Sequence, residues 1–257
     1  PAGTIAFVVV GSIIVTAGAG GLFLFFHGLV RLGGEADGAV PLRLGVALAS
    51  LGQICVRLGS LNRAEEALNR ALDVRSPLQF MRETTGAVFD SLAQIHLIRG
   101  QHEEAERCLL KAREAYGEYG SQTARWYQWS LLVLQARVAL RRGQPGPAVA
   151  LASDVAKSVD APPGYVLQAE LIAVEALLAS NLVEEAQRRL DTVAGLISPT
   201  AMSGTWGEFL RLRGRLNRTA GRSTEAYHDL GQSVSVFELL GERHQAARAE
   251  RAHVAQE

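Results

Sequence analysis

Lysine is almost missing from this chain. Of 26 basic residues only Lys111 and Lys157 are lysine, and the rest are arginine. With abundant Ala and Gly, that bias points to a GC-rich bacterial genome. Cysteine is equally scarce. Cys55 and Cys108 stand alone, which excludes a disulfide framework or a CxxC metal knuckle and suits a reduced, cytoplasmic interior. Excess charge of either sign is absent too. The 26 basic residues balance 26 acidic ones, so the protein as a whole is not drawn to nucleic acid or to an acidic membrane. At 48% apolar residues, the chain is not intrinsically disordered. Sequence signatures of catalysis are missing as well: there is no GxxxxGKS/T, HExxH or GxSxG, and no EF-hand loop. The chain therefore reads as non-catalytic, with no cofactor and no metal. The adjacent acids Glu103-Glu104 and Glu184-Glu185 fall in the first turn of predicted helices, where the helix dipole favours them. His96 takes a packed helical position, whereas His244 and His253 read as solvated.

What is present is a repeated helical hairpin. Residues 48–71 predict two helices joined at Gly59, a position that needs left-handed backbone. Aligned on that turn, Gly59, Gly100, Gly143, Asn181 and Gly221 follow one another at 41, 43, 38 and 40 residues. Asn is the residue after Gly that best tolerates this conformation. Five residues past each turn comes Ala64, Ala105, Ala148, Ala186 and Ala226. Seven residues before it come the slender Gly52, Ala93, Ala136, Val174 and Gly214. Small residues at both offsets predict close helix crossings. Pro77, Pro162-Pro163 and Pro199 mark the joints between hairpins, with residues 117–120 a weaker joint.

This spacing resembles the tetratricopeptide repeat, with helices longer than its 34-residue period requires. It is similar to the long-helix arrays of large bacterial transcription and signalling regulators. The resemblance covers residues 38–257. It implies an all-α, right-handed superhelical solenoid of about five repeats, acting as a protein- or peptide-binding scaffold or sensor within a bacterial regulatory protein. Residues 242–257 read as a polar cap or as the first helix of a sixth repeat.

Residues 1–33 form a separate hydrophobic segment, joined through the polar residues 32–40. Residues 5–26 carry no charge, long enough to span a membrane. A degenerate first helical pair and a buried β-hairpin are the competing readings. The spanning reading would make the protein a membrane-anchored assembly or secretion scaffold with a cytosolic repeat domain.

In the repeat family the first helix of each pair lines the concave face. Its outward positions here are Gln53, Arg57, Asp90, Gln94, Arg137, Arg141, Glu175, Arg211, Arg215 and Arg218. Six are Arg and two are acidic, so this face is locally basic and suits an acidic segment of a protein partner. The bland alternative is a solvated face, its arginines paired with Glu208, Glu225 or a neighbouring repeat. Trp126, Tyr127, Trp129, Trp206 and Phe209 gather at repeat joints, where aromatics serve as core or as partner anchors.

Overall fold

A computed structural model of the protein describes residues 39–74, 80–117, 122–197 and 203–254. The apolar segment 1–33 lies outside the described residues. Eleven helices run through those that are described: α1 Ala39–Arg57, α2 Leu61–Asp73, α3 Phe80–Ile98, α4 His102–Tyr116, α5 Gln122–Arg141, α6 Pro145–Lys157, α7 Pro163–Ala179, α8 Val183–Leu196, α9 Gly204–Thr219, α10 Ser223–Leu239 and α11 Arg243–Val254. Among the described residues there are no strands. No described helix is long and apolar enough to cross a membrane.

The turns decide the architecture. Gly59, Gly100, Gly143 and Gly221 all have φ between 73° and 75°, and Asn181 has φ 59°. Each closes its helix with the same paired hydrogen bonds. The amide of Gly59 donates to Val56 O at 3.0 Å, and that of Ser60 to Cys55 O at 2.9 Å. This double closure satisfies carbonyls that a helix end leaves open, and a left-handed residue is what allows it. The next helix starts two residues later, so the pair is forced antiparallel and close.

Small residues then set the distance between the paired helices. Ala64, Ala105, Ala148, Ala186 and Ala226 are all fully buried. A methyl group at Gly52 would lie 2.5 Å from Leu68 Cδ2, and one at Gly214 would lie 2.6 Å from Leu230 Cγ. Such close approach leaves no room for a larger side chain. Ala105→Leu should therefore lower stability by about 1–3 kcal/mol through overpacking. Urea unfolding checks it, and an unchanged midpoint would remove the crossing from the argument.

Apolar residues form a string of clusters rather than one centre. The largest joins α1 through α5 around Leu68, Ile95, Leu109 and Leu134. Another joins α7, α8 and α9 around Leu190, Phe209 and Leu210. Each helix pair is covered by its neighbour, which makes the molecule an all-α helical-repeat solenoid. Both cysteines are free, Cys108 buried and Cys55 half-buried. Burial pushes both thiols up from their ordinary value, so neither is a poised nucleophile.

One turn departs from the spacing. Gly241 also has φ 69°, with the same double closure: Gly241 N to Glu238 O at 3.0 Å and Glu242 N to Phe237 O at 2.9 Å. Ala246, five residues on, is buried. This turn comes half a period after Gly221. So α10 is at once the second helix of the fifth pair and the partner of α11, which packs on it through Ala246 and Ala249.

Candidate functional site

Three first helices and α11 converge on one face. Arg137 and Arg141 come from α5, Glu175 from α7, Glu208, Arg211 and Arg215 from α9, and Arg248 from α11. The centre is an ion network. Arg211 donates to Glu208 through Nε at 2.9 Å and Nη2 at 2.7 Å, and its Nη2 lies 3.0 Å from Glu175 Oε2. Arg248 grips both oxygens of Glu175 at 2.7 Å and reaches Glu208 Oε1 at 3.2 Å. Arg215 lies 3.5 Å from Glu175. Planar guanidinium forks suit such bidentate pairs, and lysine would not.

The charges shift each other accordingly. Burial alone would push the Glu175 carboxyl up. Arg211 and Arg248 outweigh it and hold that carboxyl down at about 2. Glu208 is held down in the same way, against its burial, by Arg211 and Arg248. On the cation side, burial opposes the charge of Arg211, but Glu208 and Glu175 prevail and raise its pKa. For Arg137, Arg141 and Arg215 burial wins and lowers the pKa, with the Arg248 charge adding to it in each.

The ten residues expected on the concave face divide. Gln53, Arg57, Arg141 and Arg218 are exposed, and Gln94, Arg137, Glu175 and Arg215 are half-buried. Asp90 and Arg211 are not open to solvent as the helix phase suggested. Arg211 keeps only 3% of its surface, because Glu208 of its own helix and Glu175 of α7 fold over it. Asp90 is packed between α3 and α5 and accepts a hydrogen bond from Ser130 Oγ at 2.7 Å. Burial pushes its carboxyl up despite Ser130, Gln94 and Arg137. The pairing weighed as the bland alternative holds for Arg211 with Glu208, and for Arg211 and Arg215 with Glu175 of the neighbouring repeat. Glu225 is exposed and takes no part in the pairing. Arg57 Nη2 reaches Glu242 at 3.2 Å, Arg218 donates to Ala252 O at 3.2 Å, and Arg137 to Gln168 Oε1 at 3.1 Å. Arg141 has no carboxylate partner among the described residues.

Arg248 was not anticipated. It sits on a helix that reads as a polar cap, and its partners lie 73 and 40 residues away in sequence. The half-period Gly241 and Ala246, which repeat the turn-plus-five offset, were the signal for that helix. His244 and His253 are also less solvated than expected. Both are half-buried, and the His253 ring lies 4.3 Å from that of Tyr227. Of the aromatics, Tyr127 stacks on Tyr116 at 4.5 Å and Trp206 on Phe209 at 5.2 Å. Trp129 is packed against the cluster of α5, α6 and α7. The Trp126 side chain lies outside the described residues. Glu103-Glu104 and Glu184-Glu185 open α4 and α8, as the dipole reading required. Among the described residues, no group of three His, Cys, Asp or Glu is placed to hold a metal.

Stacked antiparallel hairpins with left-handed turns and alanine crossings define a helical-repeat solenoid. Residues 46–76, the first described pair, match the profile of the tetratricopeptide repeat. The chain thus carries a segment similar to the tetratricopeptide repeat within an all-helical repeat fold, and repeats of this kind are protein- and peptide-interaction scaffolds. Among curated proteins, none matches the chain.

Proposed function

We propose that the protein is a non-catalytic scaffold whose concave face holds an acidic segment of a partner protein. The observation that carries this reading is a charge imbalance. Arg137, Arg141, Arg211, Arg215 and Arg248 gather around Asp90, Glu175 and Glu208, within electrostatic reach of one another. Two guanidinium groups exceed the carboxylates, and Arg137 and Arg141 are the ones left without a carboxylate in contact. Cations gathered in a partly dry groove repel each other, and an incoming carboxylate relieves that repulsion. Each charge-assisted hydrogen bond it makes would contribute about 1.5–3 kcal/mol where water is excluded. The long-helix repeat and the arginine-rich composition support placing the scaffold in a bacterial regulatory protein of the cytoplasm. The uncharged run 5–26 supports a second reading, in which that segment tethers the scaffold to a membrane.

The test is affinity capture with the full chain as bait, wild type beside an Arg137→Glu/Arg141→Glu variant. Wild type should retain an acidic partner that is lost at high salt, since the Debye length falls from about 10 Å at 0.1 M to 3 Å at 1 M. The variant should retain at least about 10-fold less, the equivalent of losing one 1.4 kcal/mol contact. Equal retention by the two proteins would refute the reading.

A further inference from the structure

The array returns on itself. Arg57, at the end of α1, pairs with Glu242, 185 residues away. A methyl at Gly59 would lie 3.3 Å from Arg243 Cβ, and one at Gly241 would lie 3.2 Å from Leu58 Cδ2. The α1–α2 turn therefore rests on the α10–α11 turn. Glu242 is held ready for this: a methyl at Gly204 would lie 3.0 Å from its Oε2, so the carboxylate sits over the amino end of α9. Apart from the Arg248–Glu175 contact between α11 and α7, the hairpins described here pack on their sequence neighbours, whereas this seam joins the first described pair to the last helix. It is also thin. Its ion pair leaves the Arg57 side chain 71% exposed, and the close approach is backbone against Leu58 and Arg243. Arg137 and Arg141 both feel charges on α7, α9 and α11, so they face inward across the circuit that this seam closes.

We propose that the seam between the α1–α2 turn and the α10–α11 turn is a gate, opening and closing on the Arg57–Glu242 pair, through which a partner's acidic segment reaches Arg137 and Arg141. The inference rests on the acidic-segment reading for what passes through, and on the seam geometry alone for the opening itself. Solenoids flex between neighbouring repeats, and a contact made by one exposed ion pair is the first to yield. Loss of such a pair shifts a two-state population by up to about 5-fold.

The experiment uses the full chain as wild type, Arg57→Glu and Arg57→Lys. Arg57 is largely exposed, so neither substitution disturbs the fold, and circular dichroism verifies this. X-ray scattering should give wild type and Arg57→Lys a smaller radius of gyration at about 0.1 M salt than at about 1 M. Arg57→Glu, facing Glu242 with like charge, should show the larger radius at both. Stopped-flow mixing with a hexaglutamate peptide at low salt should show entry up to about 5-fold faster in Arg57→Glu. A direct peptide contact by Arg57 predicts the reverse, slower entry, and that result overturns the gate. Identical radii for wild type and Arg57→Glu at both salts also overturn it. If hexaglutamate binds none of the three proteins, the acidic-segment reading and the gating role both fall, while the radii still decide whether the seam opens.

Discussion

Arg211→Ala is expected to lower the melting temperature by on the order of 10 °C. The guanidinium is buried to 3% exposure between Glu175 and Glu208. Removing one member of a buried ion group leaves the remainder desolvated and uncompensated, at a cost of about 3–5 kcal/mol. For a chain of this size each kcal/mol moves the midpoint by about 2–4 °C. Arg248 already bonds both Glu175 and Glu208, so it offers no new partner for the bonds that Arg211 leaves. Arg218→Ala is the control, seven residues from Arg211 on the same helix but exposed. It should stay within about 0.5 kcal/mol of wild type. Differential scanning calorimetry of the three proteins decides it. An Arg211→Ala midpoint within about 2 °C of wild type would mean that the network contributes nothing net.

Acid should unfold the array through the same residues. Folding lowers the Glu175 carboxyl from 4.5 to about 2, and Glu208 moves in the same direction. A depressed folded-state pKa gives stability that is complete above the unfolded value and lost as pH falls through the folded one. At 1.36 kcal/mol per unit, Glu175 alone accounts for about 3 kcal/mol between pH 4.5 and 2. The stability these two carboxyls contribute should therefore be flat from neutrality to about pH 5 and fall steeply below it. Glu175→Gln cannot titrate, so its curve should fall less steeply over that window, whatever its stability at neutrality. Chemical denaturation at a series of pH values reads both slopes. Parallel curves for the two proteins would contradict the assignment.

The turns were legible from the sequence because their cause is local. A left-handed residue and an alanine five positions later are fixed by backbone sterics and by one crossing, and both travel with the chain. Gly241 and Ala246 carry the same pair of marks. They escaped because a period near 40 residues leaves no place for a turn 20 residues after Gly221. Which side of a helix meets water is a different kind of fact. Arg211 and Arg215 share a stripe by phase, yet one is buried and the other half-buried. The difference comes from Glu175 on α7 and Arg248 on α11, which arrive from other parts of the chain. Sequence periodicity reports the stripe; curvature of the array decides what closes over it. Asp90 shows the same limit, since its concave position is correct in phase but Ser130 of the next pair covers it.

The seam at Glu242 changes the mechanics of the whole array. In an open solenoid each joint bends freely, and rotations simply accumulate toward the ends. Joining the ends imposes a constraint: rotations around the circuit must cancel. A twist at the α3–α5 joint must then be undone at another joint, or it strains the Arg57–Glu242 contact. Distant hairpins thus become correlated without any contact between them, much as one link of a bracelet cannot turn alone. A ligand that stiffens α5 against α9 would be felt at the clasp, though it touches neither Arg57 nor Glu242.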